Sequence, residues 1–73
     1  MDKTIGRIVR ELMLEHELSY DELARIAGLS HVTLRGIVQG RIRKPHPRTI
    51  AKLARAFGRD PKEFADFLGV ENT

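Results

Sequence analysis

The twenty residues YDELARIAGLSHVTLRGIVQ, from Tyr20 to Gln39, constrain this chain more than any other feature. They read as two short amphipathic helices joined by a tight turn. Ala24 stands where two crossing helices need a small side chain, and Gly28 stands where the turn between them needs a positive φ. Leu23, Ala27, Leu29, Leu34 and Ile37 occupy the positions that must be apolar for the two helices to pack. An Ala and a Gly alone would say little. Seven constrained positions in one register say a great deal.

Caps and apolar spacing predict five helices and no strand, an all-α fold. The first runs from about Lys3 to Glu15, with Ile5, Ile8, Val9, Leu12 and Met13 on one stripe. The second opens at Ser19, with Glu22 three residues on to complete a capping box, and stops at Gly28. Ser30 opens the third, which ends at Gly40. The fourth has His46 before Pro47, then Ile50, Leu53, Ala54, Phe57 and a closing Gly58. In the fifth, Asp60 caps, Pro61 follows, Glu63 closes a box, and Gly69 ends the helix.

A chain of 73 residues has room for one domain, expected to span 1–73 with a short flexible tail at 70–73. It has no cysteine, so the fold must rest on packing rather than disulfides or thiolate metal sites. No apolar run is long enough to cross a bilayer and no signal-peptide core precedes the first helix, so a cytoplasmic protein is expected. The net charge of +3 hides a sharp segregation. Residues 11–22 carry five carboxylates and no Lys or Arg, whereas Leu23 to Arg59 carries nine Lys and Arg and no acid. A one-signed block over half the chain, coinciding with the two-helix unit and the loop after it, implies a polyanionic partner. The plainer alternative is a solvated basic face.

The segment DELARIAGLS, the Gly40 that closes the third helix, KPHPRTIAKLARAFG and PKEF together resemble the Cro and lambda-repressor family of helix-turn-helix proteins. The resemblance covers about residues 5–65. It implies a five-helix lambda-repressor-like domain, binding of double-stranded DNA through the third helix, and a weak homodimer on a two-fold operator. Four positions depart from the family pattern. Tyr20 replaces a common Gln, with its hydroxyl still able to serve a phosphate. Met13 and Val38 stand where an Arg–Glu pair is frequent, and such a swap often breaks even. Arg59 stands where a buried Val is frequent, which implies a looser link between the last two helices.

In the third helix Leu34, Ile37 and Val38 define the inner face, leaving Val32, Arg35, Gly36 and Gln39 outward with His31 at the start. The resemblance puts the start of this helix in the major groove, making His31, Val32, Thr33 and Arg35 the candidate base readers. Arg35 suits a guanine, Val32 a thymine methyl, His31 a base or a phosphate. Gly36 costs a helix roughly 1 kcal/mol relative to Ala, so either something approaches its backbone closely or the position reads no base. The following loop, RIRKPHPR, groups Arg41, Arg43, Lys44 and Arg48 between stiffening prolines. With Tyr20 and Gln39 they are the candidate phosphate-binding residues. The amide ends of the second and fourth helices offer further phosphate sites.

No catalytic or metal-binding arrangement emerges, and no cofactor is expected. His16, His31 and His46 lack ligand spacing, and Ser19 and Ser30 are accounted for as caps. The acidic group Glu11, Glu15, Glu17, Asp21 and Glu22 reads as a solvated face or a dock for a basic partner. Phe67, Leu68 and Val70 exceed what so small a core needs and are the dimerisation candidates. Two functions fit: a sequence-specific transcriptional regulator, or a modulator or antirepressor on the same scaffold that binds another regulator.

Overall fold

The computed structural model describes residues 4–68. They form five helices: α1 (Ile5–Glu15), α2 (Tyr20–Ala27), α3 (His31–Val38), α4 (Pro47–Ala56) and α5 (Pro61–Leu68). No strand occurs among the described residues. The expected end of the last helix at Gly69 and the tail at 70–73 lie outside them, as does the expected start at Lys3.

Each boundary has a local cause. Thr4 caps α1, its hydroxyl accepting from the Arg7 N–H at 3.2 Å. Ser19 and Glu22 make the full capping box at α2, with bonds of 3.2 and 3.0 Å. The Ser30 hydroxyl accepts from the Thr33 N–H at 3.1 Å, and His46 Nδ1 from the Arg48 N–H at 3.1 Å. Asp60 accepts from the N–H groups of both Lys62 and Glu63. Gly28, at φ 70, ends α2 in the left-handed conformation its place demanded.

The end of α1 has the same left-handed geometry without a glycine. Glu17 sits at φ 54, while the Leu18 N–H donates to the Met13 carbonyl at 2.8 Å and the Glu17 N–H to that of Leu14. These are the two bonds that close a helix around a left-handed residue, and here they hold a residue with a Cβ in that position.

One core unites the elements. Val9, Leu23, Leu34, Ile37, Leu53 and Phe64 are essentially inaccessible, and no polar side chain is buried among the described residues. Ala24, the small residue of α2, is buried, and α2 packs against both α3 and α4. Gly6 does the corresponding service for α1 and α3, a role that its sequence context did not reveal. A Cβ at Gly6 would run into the carbonyl oxygens of Ile37 and Val38, 2.7 Å from the latter. Met13 is buried and Val38 half-buried against the core, as expected of an apolar replacement for an ion pair.

Arg59, expected to loosen the join between α4 and α5, closes the end of α4 with its backbone and reaches α5 with its side chain. Its N–H donates to the Ala54 carbonyl at 2.8 Å, and its guanidinium lies over the Phe67 ring at 5.1 Å. Being long, the side chain lies across the surface instead of leaving a hole where a valine would be buried. His16, Phe57, Phe64 and Phe67 form a row of neighbouring rings, 5.2 to 6.4 Å apart, from the end of α1 to α5. Leu68, a dimerisation candidate in the sequence, is buried beside Phe64 and Ala65 on the inner face of α5. Phe67 is 54% exposed; Val70 lies outside the described residues.

Candidate nucleic-acid interface

The amphipathic helices turn the polar side of α3 outward. Of the four candidate readers, His31, Val32 and Arg35 are exposed and Thr33 is half-buried. The Thr33 hydroxyl accepts from that of Ser30 at 2.9 Å, so it belongs partly to the cap. Val32 is 77% exposed, a bare apolar side chain at the start of the helix.

His31 and Arg35 are both held by the first turn of α2. The His31 Nε2 pairs with the Asp21 carboxylate, and the Arg35 guanidinium lies over the Tyr20 ring, 5.6 Å from its centre. Spacing of four residues places 31 and 35 one above the other on α3, and consecutive residues of α2 meet them. Sequence alone assigned Asp21 to a solvated acidic face, because a pairing across two helices has no signature in local spacing.

Gly36 does not belong to the outward face. It is buried under Ile42, whose Cδ1 would stand 2.8 Å from a Cβ at this position. The close approach is thus made by the protein's own loop. The Ile42 N–H also donates to the Gly36 carbonyl at 2.9 Å. Further along, Pro45 is buried. These two anchors leave Arg41, Arg43 and Lys44 exposed on a loop fixed to α3, with Arg48 exposed in the first turn of α4. Gln39 is exposed as the C-cap of α3, and Tyr20 is half-buried. All six candidate phosphate-binding residues therefore lie at the C-terminal end of α3, on its flanking loop, or at the first turns of α2 and α4.

The Glu22 carboxyl is held below the usual carboxylate range. Its hydrogen bonds with the backbone and then the hydroxyl of Ser19 are the main causes, with Arg25 adding to them. This is cap chemistry rather than a reactive site. No cluster of three or more metal-ligating side chains exists among the described residues. No described helix is long and apolar enough to cross a membrane.

Five helices, a left-handed glycine turn and an outward third helix beside a basic loop define a helix-turn-helix domain. The family model described as helix-turn-helix matches residues 9–64, most of the chain. The protein belongs to this Cro and lambda-repressor-like family, a family of DNA-binding transcription regulators. No curated protein matches the chain closely enough to count as a relative.

Proposed function

We propose that this protein is a sequence-specific transcriptional regulator of the repressor or Cro kind, acting in the cytoplasm as one domain over residues 1–73. In this reading α3 enters the major groove, where His31, Val32, Thr33 and Arg35 meet base edges. Tyr20, Gln39, Arg41, Arg43, Lys44 and Arg48 meet the phosphates. The observation that carries it is the anchored loop: Ile42 and Pro45 turn inward while Arg41, Arg43 and Lys44 stay in solvent beside α3. A loop evolved only for solubility needs no such fixing to the helix. A weak homodimer on a two-fold operator fits an exposed Phe67 on α5.

The exposed Val32 and the covered Gly36 favour a second reading, since they leave α3 a plainer polar face. In it the same surface binds another regulator. Selection from random duplexes at two salt concentrations separates the two. Enrichment of a defined sequence supports the operator reader. Weak binding to all sequences alike, with none enriched, removes it.

A further inference from the structure

Tyr20 and Asp21 are neighbours in the first turn of α2, while His31 and Arg35 lie one turn apart on the exposed side of α3. The structure joins them pairwise, Asp21 to His31 and Tyr20 to Arg35. The fold has no need of the Asp21 link. Its side chain is 83% exposed, exposed ion pairs contribute little, and the Ser19–Glu22 box already caps α2. A carboxylate is also a poor neighbour for phosphates, which it repels unless compensated.

We infer that Asp21 is a positioning residue for base recognition. It touches no base; it holds the distal nitrogen of the His31 imidazole and fixes the direction in which that ring meets the groove. An unheld imidazole on the first residue of a helix samples several rotamers, and that freedom is lost when a base is read. Orienting the ring beforehand removes this loss from the matched complex. Random DNA, which makes no base-specific bond with the ring, gains nothing. The Asp21–His31 pair therefore raises specificity without raising affinity for DNA in general. The inference rests on the proposal that α3 reads DNA.

The test compares the unaltered protein, Asp21→Ala, Asp21→Asn and Glu22→Gln by selection from random duplexes. Titration of the preferred and a scrambled duplex at one salt concentration follows. Glu22→Gln removes the same charge from the same turn while keeping a side chain that closes the box, so it reports charge alone. Asp21→Ala is expected to lower the preferred-to-scrambled ratio by about twofold to fivefold, the most that an exposed pair of this kind supplies. Its binding to the scrambled duplex should tighten only as Glu22→Gln does. Asp21→Asn, which keeps an acceptor oxygen, should restore part of the ratio. If Asp21→Ala tightens both duplexes by one common factor, Asp21 is a surface charge and the inference is overturned while DNA reading stands. If the unaltered protein enriches no sequence, DNA reading fails and this inference fails with it.

Discussion

Ile42 gives its backbone N–H to the carbonyl of Gly36 at 2.9 Å and lays its side chain over the space that Gly36 leaves empty. Through this one pairing the basic loop becomes part of α3 rather than a tether behind it. Helix and loop are thereby joined into one unit, which is what the proposed reading of a register would require.

The two helical glycines should respond differently to Ala. At Gly6 the added Cβ meets backbone oxygens of α3, which cannot move without separating the helices. Gly6→Ala is expected to cost about 1–3 kcal/mol or more, as overpacking does. At Gly36 the Cβ meets the tip of a flexible Ile42 side chain, and about 1 kcal/mol of helix propensity is regained. Gly36→Ala should be the milder change in urea melts, yet it should loosen the loop and weaken binding to scrambled DNA. Equal destabilisation by both would contradict this.

Glu17 holds a left-handed conformation that costs an L residue roughly 1 kcal/mol and costs glycine little. Glu17→Gly is therefore expected to raise the melting temperature, despite the greater freedom of glycine in the unfolded chain. An unchanged or lower melting temperature would show that the strain at this turn is relieved elsewhere.

The depressed pKa of Glu22 makes its cap pH-dependent. A carboxylate with a folded pKa below its unfolded value stabilises the fold above the unfolded pKa. That contribution is lost as pH falls through the folded value. Glu22→Gln keeps the box but does not titrate. The stability advantage of the unaltered protein over this variant should be present at neutral pH and disappear below the usual carboxylate range. A difference that is constant from neutral to acid would refute the assignment.

Leu68 and Phe67 are adjacent but face opposite ways. Leu68→Ala should destabilise by about 2–5 kcal/mol, as large-to-small core changes do. Phe67→Ala should change stability less and act instead on self-association in sedimentation at high concentration. A monomeric unaltered protein, both free and on DNA, would remove the dimer.

Local chemistry was the legible part of this fold. Ser19, Ser30, His46, Asp60, Gly28 and the apolar stripes each act within a few residues of where they stand, so spacing reveals them. Gly6, Ile42 and Asp21 act across elements distant in sequence. Gly6 reads as an ordinary weak spot in α1 until α3 crosses it, and Ile42 reads as loop until it covers Gly36. Glu17 escaped for a different reason: the hydrogen bonds around it impose a conformation its side chain does not advertise. In the candidate interface, exposure of His31, Val32, Arg35 and the loop cations followed from helical periodicity and charge. The partners holding His31 and Arg35 did not, because pairing across the turn depends on how α2 and α3 cross.

The most direct measurement is a salt titration of binding to a selected and a scrambled duplex, for the unaltered protein, Arg43→Ala/Lys44→Ala and Arg35→Ala. Loss of the two loop cations should weaken both duplexes alike and flatten the log–log salt slope by roughly 0.9 per lost phosphate contact. Loss of Arg35 should instead reduce the preference for the selected duplex, by about 1–3 kcal/mol where a bidentate base contact is lost. If the Arg35 substitution leaves both titrations unchanged but abolishes capture of a protein partner, α3 is a protein-binding surface and the operator-reading account is wrong.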